Sequence, residues 1–360
     1  MKVLAVVKNL SEFQKALKTV TQESIAYHAK RSEYSKWLKS RALFPLANLF
    51  SNVEYEDFED VEQIRQFLID AISVYRIYRS RGVIVKFDKE RYDEYLGFAR
   101  IGEGSLGGKG RGLAFIDSFL KRHKLFRKYH NVHISIPRTV VISTEVFDEF
   151  MEQHDLIRFV AKSDDDDEIL NKFISKPLPQ WVLDDVQVFL NVVKRPIAVR
   201  SSSVLEDSHF QPFAGVFATY MIPNTNNEDM LEMVSNAIKS VMASAFFQGS
   251  KVYLKATAHT IEEDKMAVIL QELTGKQYDD VYYPNISGVA RSINFYPIGN
   301  EKPNEGIANI ALGLGEIIVG GGRSLRFSPS HPKKVLQLSS PDSTQRDTQQ
   351  YFYGLDLDPK

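Results

Sequence analysis

The sequence predicts a mixed α+β fold, because helical and strand-forming patterns occupy different parts of its 360 residues. Apolar residues recur at helical spacing before about residue 80. Short runs rich in β-branched residues begin at Met266 and continue to about residue 319. Between these regions, short apolar runs alternate with longer amphipathic segments. We therefore expect a helical N-terminal region, followed by sheets that pack against helices.

The composition is that of a globular protein with a sizeable core. Hydrophobic residues make up 43% and charged residues 25% of the chain, and the formal net charge is -1. That charge provides no basic surface for nucleic acid, and no apolar run is long enough to span a membrane. The absence of cysteine excludes disulfides and thiolate metal sites, and it fits a cytoplasmic location.

Residues 1–95 are predicted to form a mostly helical region. The apolar residues between Val61 and Tyr75 follow helical spacing, and the stretch from His28 to Leu46 is a second amphipathic candidate, interrupted at Pro45. The aromatic residues of this region favour core packing over a ligand box. The short apolar run at the N-terminus has no cleavage site, so we expect a first strand there, not a signal peptide.

The segment from Gly102 to Gly112 contains six glycines in eleven residues and then turns helical. A glycine-rich loop that opens a helix can hold an anion on its backbone N–H groups, and Lys109 adds a positive charge. The segment is not a P-loop, because no Gly-Lys-Ser/Thr ends a four-residue spacer. A flexible loop that joins two domains is the alternative interpretation.

The stretch from Arg195 to Tyr220 has the chemistry of a phosphate-binding site. Ile197–Val199 reads as a buried strand, and Arg200 at its exit is followed by three serines. A guanidinium binds phosphate through two parallel hydrogen bonds, and a later glycine allows close approach to a ligand. The alternative is an ordinary strand that leads into a polar loop.

Several other segments are read from local patterns alone. The four aspartates at 164–167 predict a solvated loop, because consecutive side chains do not converge on one ion. Helices are expected from about Leu183 to Val193 and from Asn227 to Phe247. Strands are expected over four further runs: 266–270, 287–293, 306–312 and 317–319.

Together these motifs resemble the nucleotide-binding domain of the pyruvate phosphate dikinase and phosphoenolpyruvate synthase family, in family order over roughly residues 96 to 330. The matching segments are Gly107–Gly110, Ile136–Phe147, Arg200–Ser202 with Glu206-Asp207 and Phe213–Gly215, Met266–Gln271, Ser287–Ala290 and Leu312–Gly321. The resemblance implies an ATP-grasp-like fold of two nucleotide-binding subdomains with an N-terminal helical appendage. On this basis the first subdomain is expected at 96–195, the second at 196–340, and a linker or tail at 341–360.

The resemblance also implies which residues hold the phosphates of ATP. Lys109 and Arg200 fall at the family's catalytic lysine and arginine positions and would neutralise phosphate charge during transfer. Gly107, Gly108 and Ser201 would contribute to the same nucleotide site. Catalysis of this kind depends on positioning and electrostatics, so neither cation requires a shifted pKa.

The adenine and the metal are implied to bind farther along the chain. Gln271 and Leu273 match the strand that reads the adenine edge. Glu316 stands at the acidic position of the Gly-Leu-Gly-Glu segment and would bind Mg2+, although a surface carboxylate after a tight turn is the alternative. Glu305 and Asn309 are separated by an even number of residues, so on one strand they would share a face and supply further oxygen ligands.

The chain departs from the family in two respects. The family places another polar ligand beyond the glutamate, whereas Arg323–Ser328 contains neither an acid nor an amide. Neither the family's Thr-Ser-His-Ala-type phosphohistidine segment nor its pyruvate-binding barrel is found. The implied function is therefore that of an ATP-binding domain that transfers phosphate to a histidine on a separate domain, with pyruvate as the eventual acceptor. The alternatives are a phosphotransferase for another small molecule and a non-catalytic, nucleotide-sensing interaction module.

Overall fold

A computed structural model describes residues 3–79, 84–90, 92, 95–123, 125, 128–129, 131–204, 217–224, 229–256 and 265–358. The prediction of a mixed α+β fold is confirmed. The chain divides into two compact units, which are described separately. The smaller unit comprises Met1–Val85, Asp93–Phe98 and Ala114–Ile136, and the larger one comprises Lys86–Tyr92, Ala99–Leu113 and Pro137–Lys360.

The helices of the described residues are α1 (Leu10–Thr19), α2 (Gln22–Ala29), α3 (Glu33–Ser40), α4 (Phe44–Ser51), α5 (Val61–Arg79), α6 (Gly107–Arg122), α7 (Thr144–Gln153), α8 (Leu156–Val160), α9 (Asp166–Ile174), α10 (Gln180–Val192), α11 (Met230–Ser244), α12 (Gln248–Ala256), α13 (Glu316–Val319) and α14 (Pro341–Asp347). The strands are β1 (Val85–Lys86), β2 (Phe98–Ile101), β3 (Thr139–Ile142), β4 (Ile197–Ser203), β5 (Thr219–Ile222), β6 (Met266–Glu272), β7 (Lys276–Tyr278), β8 (Val281–Tyr283), β9 (Ser287–Arg291), β10 (Ile307–Ala311), β11 (Leu325–Phe327) and β12 (Leu355–Asp356).

The smaller unit has its own apolar core, built around α5. Ile64, Leu68 and Ile72 recur at every fourth position of α5 and are buried, so they form one stripe along the helix. Helices α1, α2 and α4 cover that stripe. The helical spacing seen in the sequence therefore marks a core face.

Two expectations for the smaller unit are wrong. The stretch from His28 to Leu46 is not one interrupted helix, since it contains the end of α2, all of α3 and the start of α4. Pro45 lies in the first turn of α4, where a residue without an N–H is tolerated, so it begins a helix and does not break one. The N-terminal apolar run is not a strand, because residues 3–7 are in no regular element.

The larger unit is built on a six-stranded sheet in the order β1-β2-β3-β6-β4-β5. Strands β3, β6, β4 and β5 pair antiparallel, and Gln271 of β6 lies between Thr139 of β3 and Ala198 of β4. Helices α7 and α11 contact this sheet. Val199 and Leu270 are direct cross-strand partners and both are fully buried, as expected for a sheet covered by helices.

Two three-stranded antiparallel sheets complete the larger unit, in the orders β11-β10-β9 and β12-β8-β7. The expected boundary between residues 195 and 196 falls just before β4, so segments on both sides of it contribute strands to the six-stranded sheet. The expected strand at 317–319 is wrong. Gly313 adopts φ +82°, and the chain then makes one helical turn, α13, in which the Gly320 N–H donates to the Glu316 carbonyl at 2.8 Å.

Two of the four aspartates, Asp165 and Asp166, cap helices, so the expected solvated loop is correct for Asp164 and Asp165 but wrong for Asp166 and Asp167, which lie in α9. The Asp165 carboxylate accepts hydrogen bonds from the backbone N–H groups of the first turn of α9. The Asp166 carboxylate accepts from the N–H of Gln248, which begins α12, at 2.7 Å. Asp164 lies 3.3 Å from the Lys251 ammonium. Carboxylates near helix N-termini stabilise the helices, and here they join two of them.

No helix among the residues that the structure describes combines the length and the apolar character needed to cross a membrane.

Candidate functional site

A buried serine joins the start of α6 to β4 in the larger unit. The Gly110 N–H donates to the Ser202 hydroxyl oxygen at 2.9 Å, and that hydroxyl donates to the Leu106 carbonyl at 2.7 Å. Ser202 is fully buried. Residues 92 to 96 positions apart in the sequence are thereby held together, and the glycine-rich turn is fixed against the strand that carries Arg200.

Gly107 is required by this packing. Its φ is +67°, and a Cβ added to it would lie 1.7 Å from the Ser202 carbonyl oxygen. The sequence analysis places Gly107 among the nucleotide-binding residues, whereas in the structure the space beside its Cα is filled by β4. The neighbouring Gly108 lies in the first turn of α6, where backbone N–H groups have no partner within the helix.

The same contact brings Lys109 to β4. The Lys109 ammonium donates to the Ser201 hydroxyl at 3.2 Å. Arg200 immediately precedes Ser201 and lies in the middle of β4, not at its exit as the sequence suggested, because the strand continues to Ser203. The strand that carries Arg200 therefore also contacts Lys109, which lies in the first turn of a 16-residue helix whose N-terminus is a suitable place for an anion.

The turn between β3 and α7 holds the glycine-rich loop from the other side. The Thr144 hydroxyl accepts a hydrogen bond from the Ser105 N–H at 3.0 Å, and the Glu145 carboxylate accepts from the Glu103 N–H at 2.5 Å. Gly104 has φ +85°, and a Cβ there would be 3.0 Å from the Thr144 hydroxyl. Ordered loop geometry is thus maintained by side chains of the Ser-Thr-Glu helix start.

Charged groups also surround the loop. The Glu103 carboxylate is 2.9 Å from the Lys86 ammonium and 2.6 Å from the Arg100 guanidinium. The hydrogen bond from Lys86, followed by that from Arg100, lowers the pKa of Glu103. This carboxylate therefore stays ionised and is neutralised locally, which limits its repulsion of an incoming anion.

Arg200 begins a chain of hydrogen bonds across the face of the sheet. Its guanidinium donates to the Gln271 amide oxygen at 3.3 Å, and the Gln271 amide nitrogen donates to the Thr139 hydroxyl at 2.9 Å. That hydroxyl donates in turn to the Pro137 carbonyl at 2.8 Å. The strand register explains this series of hydrogen bonds. Thr139 and Gln271 are direct cross-strand partners, and Arg200 lies two residues from Ala198, the partner of Gln271 on β4, so all three side chains share one face of the sheet.

The two residues assigned to adenine already form hydrogen bonds within the protein. Gln271 is buried and uses both ends of its amide for Arg200 and Thr139. The Leu273 N–H donates to the Pro196 carbonyl at 2.7 Å, and its carbonyl accepts from the Tyr282 hydroxyl at 2.9 Å. A carbonyl oxygen has two lone pairs, so the backbone of Leu273 retains one acceptor site.

The three residues assigned to metal binding lie on or beside the sheet of β9, β10 and β11. Glu316 is exposed and begins α13, which packs on β10. Asn309 lies within β10, between Val289 and Arg326. Glu305 does not share a face with Asn309 as expected. It ends a 3₁₀ turn, Gly306 follows at φ +74°, and β10 begins only at Ile307.

The side chain of Glu305 is engaged locally. Its carboxylate accepts from the Lys302 N–H at 3.0 Å and lies 3.7 Å from the His331 imidazole. Among the described residues, no group of three or more His, Asp or Glu side chains is arranged to hold a metal ion. One or two carboxylates together with nucleotide phosphates are sufficient for Mg2+, and Glu316 fits that pattern.

Arg326 fills the region where the family's second polar ligand was expected. Its guanidinium donates to both carboxylate oxygens of Glu301, at 3.2 and 2.9 Å, and to the Tyr296 carbonyl at 2.9 Å. The hydrogen bond from Arg326, together with those from the Ile298 N–H and the Asn294 amide, lowers the pKa of Glu301 to about 2. Arg326 is therefore part of a structural ion pair, beside Asn309 in the sheet register.

An apolar cavity lies in the smaller unit. It has a volume of about 680 Å³ and is lined by residues 3–37, among them Phe13, Tyr27, Tyr34 and Trp37. The hydroxyl of Tyr34 is buried, which raises its pKa to about 12. None of the residues that carry the family resemblance lines this cavity, so it is not the candidate nucleotide site.

Two of the motifs in the sequence analysis, Glu206-Asp207 and Phe213–Gly215, lie outside the described residues. The sequence analysis did not identify the side chains whose hydrogen bonds fix the glycine-rich turn and Gln271, namely Ser202, Thr139, Thr144 and Glu145. Ser202 was visible only as one of three consecutive hydroxyls, and Thr144 and Glu145 only as part of a helix start. Their partners are about 40 to 130 residues away, and no local pattern indicates them.

Comparison with known proteins agrees with the geometry. The family model described as "Pyruvate phosphate dikinase, AMP/ATP-binding domain" matches residues 103–346, which is more than half of the chain. This match includes the glycine-rich turn, β4, β6 and the Gly-Leu-Gly-Glu segment. It excludes helices α1 to α5 of the smaller unit.

Two curated relatives are similar over part of the chain. An "Uncharacterized phosphotransferase YvkC" of Bacillus subtilis is 26% identical over 191 residues, which cover 52% of this chain and 20% of that protein. A "Phosphoenolpyruvate synthase" of Aeropyrum pernix is 28% identical over 160 residues, covering 42% and 18% respectively. The matched part of the chain thus spans about a fifth of the length of each relative.

Proposed function

Because this chain belongs to the family of the pyruvate phosphate dikinase AMP/ATP-binding domain, we propose that it binds ATP at the junction of β4 and α6 and is the nucleotide-binding part of a phosphotransferase. The observation that carries the proposal is the contact between the first turn of α6 and β4, in which Lys109 donates to the hydroxyl of Ser201, the residue that follows Arg200. Cations, a helix N-terminus and a glycine-rich turn together suit a polyphosphate.

The phosphates are assigned to the cations and the backbone of this junction. Arg200 gives one hydrogen bond to Gln271 in the described contacts, and a guanidinium has five N–H donors in a planar fork. Lys109 contributes a point charge from the first turn of α6, next to Gly108. Such groups stabilise the charge that moves between phosphates during transfer, since phosphoryl transfer depends mainly on positioning and electrostatics.

The adenine is assigned to the end of β6, in an ATP-grasp-like arrangement. The free acceptor site on the Leu273 carbonyl suits the adenine amino group, because the Leu273 N–H is used by Pro196. Gln271 would act indirectly, since its amide orients Arg200 and is itself held by Thr139. Mg2+ is assigned to Glu316, with Asn309 as an amide ligand on the contacting strand β10.

The acceptor of the phosphate is proposed to be a histidine on a separate domain, with pyruvate as the final acceptor in the whole protein. One relative is named a phosphotransferase and another a phosphoenolpyruvate synthase, and both are several times longer than the matched segment. On this proposal the present chain binds ATP and Mg2+ but does not bind pyruvate.

The test is calorimetric titration of the full chain with ATP, AMP and pyruvate, with and without Mg2+. Lys109→Ala and Arg200→Ala are expected to weaken ATP binding about tenfold or more each, because a lost charge-assisted hydrogen bond costs on the order of 1.5–3 kcal/mol. Lys121→Ala is the matched control. It removes a lysine from the same helix, but one that pairs with Asp117 near the other end.

The outcomes separate the hypotheses. Binding of ATP without pyruvate, weakened by both site variants and not by Lys121→Ala, supports the proposal. Unchanged ATP affinity in Lys109→Ala and Arg200→Ala would refute the assigned phosphate site. If ATP binds but a histidine-bearing domain added with Mg2+ gains no acid-labile phosphate, the chain is a nucleotide-sensing module or serves another acceptor.

A further inference from the structure

The turn that precedes Glu316 is held by a segment near the end of the described chain. We define this clamp segment as residues 349–353. The Gln349 amide oxygen accepts from the Leu312 N–H at 2.8 Å, and its amide nitrogen donates to the Leu312 carbonyl at 2.8 Å. A side-chain amide that bonds both polar groups of one residue imitates a neighbouring strand, so it fixes that residue's position and orientation.

The next two residues of the turn are held as well. The Leu314 N–H donates to the Tyr353 carbonyl at 2.8 Å. The Gly313 N–H donates to the Pro284 carbonyl at 3.2 Å, and the Gly313 carbonyl accepts from the Ser287 hydroxyl at 2.6 Å. The approach is so close that a Cβ on Gly313 would lie 2.6 Å from the Tyr353 carbonyl oxygen. Five backbone groups of residues 312–314 are thus engaged just before Glu316.

The clamp segment is itself anchored at its far end. Strand β12 follows it and pairs with β8, with Leu355 opposite Tyr282. The Phe352 ring packs on Tyr283, with ring centroids 4.9 Å apart. Residues 341–358, where the sequence predicts a linker or tail, contain α14 and β12 and belong to the larger unit. Gln349 also lies beyond residue 346, where the family match ends.

We propose that Gln349 is a positioning residue, which holds the turn at 312–314 so that the Glu316 carboxylate faces the metal-bound nucleotide. This inference rests on the proposed function, in which Glu316 binds Mg2+. The physical reason is that Glu316 is exposed and begins a helix of only four residues, so the helix alone does not fix its direction. The contacts to the clamp segment supply the missing constraint.

The test measures the magnesium dependence of ATP binding, expressed as the ratio of the ATP dissociation constants without and with Mg2+. Gln349→Ala is expected to lower that ratio about five- to tenfold, because loss of two hydrogen bonds lets the turn move, while the metal-free affinity stays within about twofold. Gln349→Glu keeps the size and the acceptor but loses the donor, and it is expected to change the ratio in the same direction.

The control is Gln350→Ala, which removes an adjacent, exposed glutamine whose amide donates only to the Gln345 carbonyl at 3.3 Å. It is expected to behave like the wild type. In a Glu316→Ala background, Gln349→Ala should have no further effect on the ratio, because the side chain to be positioned is gone.

Three results would overturn the inference. If Glu316→Ala lowers the magnesium dependence and Gln349→Ala does not, the metal site stands and the positioning role fails. If Gln349→Ala weakens metal-free and metal-bound ATP equally, its role is general stability. If Glu316→Ala leaves the magnesium dependence unchanged, the proposed metal site fails, and the positioning role fails with it.

Discussion

Replacement of Ser202 by alanine tests whether the contact between α6 and β4 organises the candidate site. The variant Ser202→Ala removes two hydrogen bonds, one from the Gly110 N–H and one to the Leu106 carbonyl. Both partners are buried, so water does not replace the lost hydroxyl. A buried polar group left without a partner costs about 1–3 kcal/mol, so we expect the larger unit to lose about 2–4 kcal/mol of stability.

The assay is equilibrium unfolding in urea, followed by tryptophan fluorescence. The chain has two tryptophans, and Trp37→Phe leaves only Trp181, which belongs to α10 of the larger unit. Ser201→Ala in the same background is the matched control. Ser201 is equally buried, but its described side-chain bond is a single one to the Lys109 ammonium, so a loss of about 1 kcal/mol is expected.

The relative size of the two losses of stability tests whether Ser202 holds α6 against β4. A loss below about 0.5 kcal/mol in Ser202→Ala, or a loss no larger than that of Ser201→Ala, would refute the view that Ser202 holds the two elements together.

Two further predictions concern backbone packing and pH. Gly107→Ala is expected to destabilise the larger unit by more than about 3 kcal/mol, because the added Cβ would overlap the Ser202 carbonyl. The control is Gly112→Ala in the same helix, whose added Cβ meets nothing within 4 Å, so this variant should be neutral or stabilising. Thermal unfolding of both variants measures the difference. Glu301→Gln is expected to cost about 2 kcal/mol at neutral pH through the lost ion pair with Arg326. The pKa of Glu301 is about 2 in the folded protein against 4.5 ordinarily, so this stabilisation is present above pH 4.5 and is lost as the pH falls toward 2. Urea unfolding across that range should therefore show the free energies of unfolding of the wild type and the variant converging. A difference that stays constant with pH would contradict the assignment.

Local patterns in the sequence were sufficient where a single element's own chemistry decides the outcome. The apolar stripe of Ile64, Leu68 and Ile72 predicts α5 because helical spacing places such residues on one face. The glycine-rich run predicts the start of α6, and the strands at Ile197 and Met266 follow from buried β-branched residues.

Local sequence patterns gave wrong predictions where a residue is compatible with more than one conformation and its neighbours in space decide which one it adopts. Ile317–Val319 has strand-forming residues, yet the glycines at 313 and 320 and the contacts of the preceding turn place it in a helical turn. Pro45 is equally compatible with ending a helix or beginning one. Glu305 and Asn309 have the spacing of a shared strand face, but Gly306 turns the chain between them.

The sequence by itself determined the class of the fold and the family, and it singled out Lys109 and Arg200 as the two candidate cations, because these depend on residue types and their order along the chain. Only the tertiary structure decided what holds those cations in place. Ser202 and Thr144 act on backbone groups that are 39 to 96 residues distant, and such contacts leave no periodic signal. In the same way, Gln349 acts on Leu312, 37 residues away, in the turn before Glu316. Hydrogen bonds of this kind form only after the sheets and helices have packed, so their geometry belongs to the fold as a whole.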